Sequence, residues 1–156
     1  MCIRDSNNGV DRRRVYLTGF SNGGMLTYRF ACENAHYIAA AAPIAATVAG
    51  HCEPSRPVPM VIFHGMKDKR VKYTDGVDNS VRLWSKHNGC DETPISREDD
   101  DLRHDVYTNC DAGADVELYA MKRQPHRWPG WKRKTWTGRI DPVSYTHLTL
   151  PTTPYV

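Results

Sequence analysis

The sequence lacks several features that would assign a protein to a well-defined class. It has no uninterrupted apolar run of the ~18 residues that a membrane-spanning helix requires. Neither Cys-x-x-Cys nor His-x-x-x-His spacing occurs, so the common metal-binding patterns are absent. The formal net charge is only +3 over 156 residues, and no internal repeat is present. We therefore expect a globular domain with no metal, no membrane partner and no nucleic-acid partner.

The two ends of the chain are expected to differ in origin from its centre. Residues 1–6 and residues 143–147 can be encoded by DNA sequences that are reverse complements of each other, read in different frames. Both ends resemble the translated adapter used in shotgun DNA sequencing, and residues 148–153 fit its continuation. We interpret residues 1–6 and 143–156 as adapter-derived and not native, which leaves residues 7–142 for fold reasoning.

The cysteines could form disulfides, provided that the compartment is oxidising. Of the five cysteines, Cys2 falls in the excluded end, and the remaining four allow three pairings. We predict that neighbours along the chain pair, as Cys32–Cys52 and Cys90–Cys110. Each bridge would close a loop whose ends lie 20 positions apart (52 − 32 and 110 − 90). Four buried free thiols are the alternative.

Short apolar runs alternate with amphipathic segments along the chain, as in α/β proteins. One stretch, residues 92–104, is polar and acidic without apolar periodicity, and we predict a surface loop there. The predicted strands cover residues 15–18, 38–44, 60–64, 106–108 and 116–120, and the predicted helices cover residues 24–34 and 76–88.

The most informative motif is the segment Thr18-Gly19-Phe20-Ser21-Asn22-Gly23-Gly24, which follows the apolar run of the first predicted strand. A serine hydroxyl becomes a nucleophile only when it stands exposed beside a general base. A strand that turns sharply into a helix exposes it, and we expect Gly19 and Gly23 to avoid the clash that Cβ atoms would cause there. The pattern is that of the nucleophile elbow of α/β-hydrolases, with the backbone N–H of Asn22 as an oxyanion donor.

A matching acid and base follow in the chain order Ser, Asp, His that these folds use. Asp68 comes directly after the strand at residues 60–64, and His126 lies in a proline-containing loop after the last predicted strand. We predict Ser21 as nucleophile, His126 as general base and Asp68 as the carboxylate that orients it. Asp75 and Asp78 are the competing acids.

The other histidines are weaker candidates for the base. His64 precedes the proposed acid and is interpreted as structural, packed near the site. His147 lies in the adapter-derived end, His36 and His87 are assigned to helices, and His51 and His104 to polar loops. An ordinary loop histidine remains the alternative for His126.

Five longer motifs occur in order along the chain. They are Gly19-Phe20-Ser21-Asn22-Gly23-Gly24-Met25, Cys52-Glu53-Pro54-Ser55-Arg56-Pro57-Val58-Pro59, His64-Gly65-Met66-Lys67-Asp68, Trp84-Ser85-Lys86-His87-Asn88-Gly89-Cys90 and His126-Arg127-Trp128-Pro129-Gly130. Together they resemble the polyhydroxybutyrate depolymerase and feruloyl esterase family of secreted esterases, over residues 10–130. Residues 123–125, Arg-Gln-Pro, depart from the glycine run that usually precedes the histidine in this family.

The resemblance implies an extracellular carboxylic ester hydrolase that needs no cofactor, acts on a polymeric or phenolic ester and uses Ser21, Asp68 and His126. Because few residues precede the elbow, we expect the C-terminal portion of an α/β-hydrolase: a mostly parallel sheet flanked by helices, with its N-terminal strands and second oxyanion donor missing. Such a fragment is expected to be inactive. Two alternatives remain: a serine peptidase of the prolyl-oligopeptidase type, and a non-catalytic hydrolase-like binding domain.

Overall fold

The structure, a computed structural model, describes Asp11 and residues 14–130. Both segments interpreted as adapter-derived, residues 1–6 and 143–156, lie outside the described residues. Within the described part, no helix has the length and apolar character needed to cross a membrane.

A six-stranded sheet with two helices forms the described part of the chain. Its strand order is β1-β2-β3-β6-β5-β4, with β1, β2, β3 and β6 parallel and β5 and β4 antiparallel. The prediction of an α/β fold with a mostly parallel sheet is confirmed. The elements are β1 (Tyr16–Phe20), α1 (Asn22–Glu33), β2 (Ala40–Ile44), β3 (Met60–Gly65), α2 (Asp75–His87), β4 (Ile95–Glu98), β5 (Leu102–Tyr107) and β6 (Val116–Met121).

The prediction of a surface loop at residues 92–104 is wrong. This segment contains β4 and the beginning of β5, which pair as an antiparallel hairpin at one edge of the sheet. Every residue of β4 is exposed, so burial imposes no apolar alternation that the sequence could reveal. Asp99 closes the hairpin because its Oδ1 accepts the backbone N–H groups of Asp101 and Leu102, both at 2.8 Å.

The prediction that His104 lies in a polar loop is also wrong, because this residue lies in β5. Its Nε2 lies 2.9 Å from Oε2 of Glu117, and its ring stacks on Tyr119 with the centroids 4.1 Å apart. The cross-strand pairs explain why polar residues are stable in this strand.

The main core lies between the sheet and the two helices. Tyr28 of α1 and Trp84 of α2 are buried there against Ile62 of β3 and Leu118 of β6. Burial of a large apolar side chain contributes about 1.5–3 kcal/mol, so this layer fixes β1, β3 and β6 relative to one another. The C-terminal ends of these parallel strands therefore lie at one edge of the sheet, where the loops that follow them converge.

Two disulfides join the helical layer to neighbouring loops. Cys32 of α1 pairs with Cys52, and Cys90, after α2, pairs with Cys110. The predicted pairing is confirmed, and the alternative of four free thiols is excluded.

Candidate active site

Ser21 occupies the turn between β1 and α1 in a backbone conformation that is rare for a residue with a Cβ. Its φ is 56° and its ψ is −119°. The turn is held by the N–H of Ser21, which donates to the carbonyl of Ile44 at 2.9 Å, and by the N–H of Met25, which donates to the carbonyl of Ser21 at 2.9 Å. Positive φ at a non-glycine residue costs about 1–3 kcal/mol and is typical of functional sites.

Glycine is required at two positions of this turn, but they are not the two that we predicted. A Cβ at Gly19 would lie 2.2 Å from the carbonyl oxygen of Gly23, and one at Gly24 would lie 2.7 Å from the carbonyl oxygen of Ile44. A Cβ at Gly23 would meet no atom of the described residues within 4 Å, so the predicted steric role of Gly23 is wrong. The helix direction places Gly24, and not Gly23, against β2.

Asp68 lies in the loop after β3, where three hydrogen bonds fix its carboxylate. Oδ1 accepts the backbone N–H groups of Arg70 and Val71 at 2.8 and 2.9 Å, and Oδ2 contacts His126. The residue is only 5% exposed. Burial raises the pKa of Asp68, but the hydrogen bonds from His126, Val71 and Arg70 outweigh it, and the pKa falls below its ordinary value.

His126 joins the other two candidates into one hydrogen-bonded chain. Its Nδ1 lies 2.6 Å from Oδ2 of Asp68, and its Nε2 lies 2.9 Å from Oγ of Ser21. Because a carboxylate only accepts, Nδ1 carries the proton, and Nε2 of the neutral ring is left to accept the serine hydroxyl. Residues 21, 68 and 126, far apart in sequence, are thus brought together as the sequence predicted.

The loop before His126 contains residues 123–125, which depart from the sequence of the family that this chain resembles. The loop nevertheless directs the imidazole at Ser21. The carbonyl of Gln124 accepts the N–H of Lys67 at 3.1 Å, and its side-chain amide donates to the carbonyl of Trp128 at 3.2 Å. A Cβ at Gly65 would lie 2.2 Å from the carbonyl oxygen of Gln124. A glycine in β3 therefore provides the close approach between the Asp68 and His126 loops.

Phe20 packs beside the imidazole and against Trp128, and sequence reasoning missed these contacts. The centroid of Phe20 lies 4.7 Å from that of His126 and 6.3 Å from that of Trp128. Phe20 directly precedes the serine and Trp128 follows the histidine by two positions, so both were within recognised motifs. Their mutual contact depends on the meeting of β1 with a distant loop, which no local pattern reveals.

Of the two competing acids, Asp78 faces Arg103 and not His126: its carboxylate is about half exposed and lies 3.9 Å from a guanidinium nitrogen of Arg103. Asp75 is the first residue of α2. His64 is fully buried at the end of β3, as its structural interpretation predicted. Burial lowers the pKa of His64, an effect only partly opposed by the Val71 carbonyl and Asp68.

The backbone N–H of Asn22 lies at the first residue of α1. The first N–H groups of a helix have no partner within it and lie at the positive end of the helix dipole. This amide can therefore stabilise a negative oxygen that forms next to Ser21.

The arrangement has the parts needed for acyl transfer. A hydroxyl, an imidazole and a carboxylate follow one another at hydrogen-bond distance beside a helix N-terminus. This is the geometry by which a base can remove the serine proton during attack on a carbonyl. Among the described residues, no group of three or more His, Cys, Asp or Glu side chains is placed to hold a metal ion.

Comparison with known proteins gives sequence relatives and structural neighbours, although no family model matches. The chain is 33% identical to feruloyl esterase B of Piromyces equi, over 75% of this chain and 25% of that protein. It is 45% identical to the bifunctional acetylxylan esterase/xylanase XynS20E of Neocallimastix patriciarum, over 41% of this chain and 10% of that protein. A probable feruloyl esterase C of Aspergillus oryzae is 28% identical over 56% of this chain and 33% of that protein.

The fold has a counterpart among solved structures. Arabidopsis thaliana SOBER1, an α/β-hydrolase, superposes with a TM-score of 0.53 at 16% identity, over 78% of this chain and 49% of that one. At this identity the likeness concerns the fold alone. The chain matches about a quarter of the length of feruloyl esterase B.

Proposed function

We propose that this chain, a homologue of the feruloyl esterases with the α/β-hydrolase fold, belongs to a serine carboxylic ester hydrolase. In this proposal Ser21 is the nucleophile, His126 the general base and Asp68 the carboxylate that orients the imidazole. The supporting observation is the hydrogen-bonded chain of 2.9 Å from Ser21 to His126 and 2.6 Å from His126 to Asp68.

Acylation begins with attack of Ser21 Oγ on the ester carbonyl carbon. His126 Nε2 takes the hydroxyl proton as the Oγ–C bond forms, and Asp68 stabilises the resulting imidazolium through Nδ1–H. The carbonyl oxygen becomes an oxyanion that accepts the N–H of Asn22. Collapse of this intermediate breaks the ester C–O bond, and the alcohol leaves with the proton from Nε2.

Deacylation repeats the sequence with water. His126 Nε2 removes a proton from a water molecule as its oxygen attacks the acyl carbon. The tetrahedral intermediate then breaks the Oγ–C bond, and Nε2 returns the proton to Oγ of Ser21 as the acid is released. Asp68 supports both halves of the reaction because its carboxylate is held by two backbone amides and remains ionised near neutral pH.

The substrate class we propose is an ester of a plant polymer, either a phenolic acyl group or an acetyl group. This proposal is supported by the relatives of the chain, which are a feruloyl esterase and an acetylxylan esterase/xylanase. A polyester of hydroxyalkanoic acids is the alternative that the resemblance also implied. An extracellular location is part of the proposal, since two disulfides persist only in an oxidising compartment.

A fluorophosphonate probe tests the nucleophile directly. We expect the protein in its full length to be labelled at Ser21, with labelling abolished in Ser21→Ala. Ser55→Ala is the matched control, because Ser55 is an exposed loop serine whose loss should leave labelling unchanged. Absence of labelling in the wild-type protein would favour the non-catalytic binding domain.

A substrate panel separates the enzyme classes. Methyl ferulate, p-nitrophenyl acetate, a hydroxybutyrate oligomer and a peptide amide are assayed with wild-type protein and Ser21→Ala. We expect hydrolysis of the feruloyl or acetyl ester, dependent on Ser21. Cleavage of the amide without cleavage of any ester would instead identify a peptidase of the prolyl-oligopeptidase type.

A further inference from the structure

His64 is a buried polar side chain that has no role in the reaction proposed above. It is fully buried near the end of β3, four residues before Asp68. Its Nε2 lies 2.8 Å from the carbonyl oxygen of Val71. Because a carbonyl only accepts, Nε2 carries a proton and donates it.

Val71 connects this histidine to the Asp68 carboxylate. The N–H of Val71 donates to Oδ1 of Asp68 at 2.9 Å, while its carbonyl accepts the Nε2–H of His64 at 2.8 Å. The loop after β3 is therefore anchored from both sides of one residue. Without the donor from His64, the partly buried Val71 carbonyl would lose this hydrogen bond, and we expect the loop to shift toward another partner.

The other carboxylate oxygen remains available to His126. His64 Nε2 lies 3.8 Å from Oδ2 of Asp68, which is too far for a hydrogen bond, whereas Nδ1 of His126 lies 2.6 Å from the same oxygen. His64 thus holds the carboxylate loop through Val71 without competing for Oδ2.

Tyr73 holds the His64 ring from a different direction. The two rings meet edge to face with centroids 5.7 Å apart, and the Tyr73 hydroxyl accepts a guanidinium N–H of Arg103 in β5 at 2.7 Å. The imidazole is therefore fixed by packing as well as by its hydrogen bond.

We propose that His64 is a positioning residue for the reaction. Through Nε2–H and the Val71 carbonyl it keeps the loop of Asp68 in the conformation that directs Oδ2 at His126. This inference rests on the proposed function, because the geometry it maintains is that of the proposed base and its orienting acid.

Two substitutions separate the hydrogen bond from simple filling of space. In His64→Gln the side-chain amide can still donate to Val71, whereas His64→Leu fills a similar volume without a donor. We expect kcat per active site, counted by fluorophosphonate titration, to fall about 10- to 100-fold in His64→Leu with KM nearly unchanged. His64→Gln should restore most of that loss.

The matched control is His87→Leu, which removes a second histidine, at the end of α2, whose ring meets that of Trp84. It should leave kcat per titrated site unchanged. Equal losses in His64→Leu and His64→Gln would overturn the proposal, as would wild-type kcat in both, whatever their thermal stability.

A spectroscopic readout keeps the test independent of catalysis. The proton between His126 Nδ1 and Asp68 gives a strongly deshielded ¹H resonance in a short hydrogen bond of this kind. We expect it in wild type and His64→Gln, and expect it to be lost or broadened in His64→Leu. If wild type shows neither labelling nor ester cleavage, the proposed function fails, and this resonance still decides whether His64 positions Asp68. Retention of the resonance in His64→Leu would refute that role.

Discussion

At the scale of single residues, Asp68 combines two roles in one side chain. One oxygen accepts two backbone N–H groups that shape its own loop, and the other accepts the imidazole N–H of His126. Because the carboxylate is buried, each of these bonds matters more than it would in water. The contact between Asp68 and Nδ1 of His126 sets the tautomer of the imidazole. The tautomer in turn leaves Nε2 able to accept the Ser21 proton.

Replacement of this carboxylate is the most direct test at the residue scale. In Asp68→Asn the amide can donate to Nδ1, which would force the proton onto Nε2 and prevent it from accepting the serine hydroxyl. We expect kcat for ester hydrolysis to fall on the order of 10⁴-fold. Asp78→Asn is the control, since Asp78 is partly exposed and pairs loosely with Arg103, and it should keep wild-type kcat. A similar loss in both variants would argue against Asp68 as the orienting acid.

At the scale of elements, the site depends on two close approaches of backbone. β1 turns into α1 at a distance that only Gly19 allows, and β3 passes the His126 loop at a distance that only Gly65 allows. The first contact exposes Ser21, and the second places the Asp68 and His126 loops side by side. Backbone atoms on both sides cannot move away as a flexible side chain could.

A pair of glycine substitutions tests the turn between β1 and α1. Gly19→Ala should lower the free energy of unfolding by about 1–3 kcal/mol or prevent folding, because its Cβ would collide with the Gly23 carbonyl. Gly23→Ala should leave stability unchanged or raise it by up to about 1 kcal/mol, since alanine favours helix. Urea unfolding of both variants measures the difference. Equal destabilisation would show that Gly23 is packed as well.

At the scale of the whole molecule, stability rests on the core between the sheet and the two helices, together with the two disulfides. The core contains large apolar side chains such as Tyr28 and Trp84. It also contains Asn88, whose amide donates to the carbonyls of Val58 and Ala114. The buried Asn88 side chain is tolerated here because its amide is hydrogen-bonded to backbone carbonyls.

Removal of the disulfides measures how much the bridges contribute. Each bridge closes a loop across 20 positions, so loss of either is expected to cost about 3 kcal/mol in the chain-entropy model. The double variants Cys32→Ser/Cys52→Ser and Cys90→Ser/Cys110→Ser should each lower the urea midpoint. Reducing agent should destabilise wild type and leave a variant without both bridges unaffected. An unchanged midpoint in a double variant would mean that its bridge contributes little.

Stability should also decline as the solution becomes acidic. His64 has a lowered pKa in the folded protein because it is buried, with Asp68, His126 and the Tyr73 ring as its neighbours. Below the unfolded pKa of about 6.5 the unfolded chain binds a proton that the folded protein does not, so stability falls as pH falls. The decline ends at the lower folded pKa, and its slope for one proton approaches 1.4 kcal/mol per pH unit.

The contribution of His64 is isolated by comparison with His64→Gln. Unfolding free energies measured in urea from pH 7.5 to 5.5 should fall less steeply in this variant than in wild type. Parallel curves for wild type and His64→Gln would show that His64 is not kept neutral.

Asp68 also makes stability fall as pH falls, but at lower pH. The pKa of Asp68 is lowered in the folded protein, so its contribution to stability is present above its unfolded pKa and is lost as pH falls through the folded pKa.

Sequence reasoning was accurate where a local pattern carries the structural reason. Buried strands such as β3 are continuous apolar runs, and the elbow at Ser21 has its glycine and its strand within a few residues. Reasoning failed at β4, whose exposed side chains obey no burial pattern and whose strand state comes from pairing with β5. It also assigned a steric role to Gly23 that belongs to Gly24, since the contact comes from β2 and not from the turn itself.

The sequence by itself determined the order of Ser21, Asp68 and His126 along the chain and the alternation of most strands and helices, because these follow from local residue types and spacings. Only the tertiary structure decided that the three side chains meet at hydrogen-bond distance, which tautomer His126 adopts, and which of the three cysteine pairings forms. The meeting of the three side chains depends on parallel strands that bring their C-terminal ends to one edge of the sheet. Contacts between residues tens of positions apart follow from that convergence, and no local pattern encodes their distances.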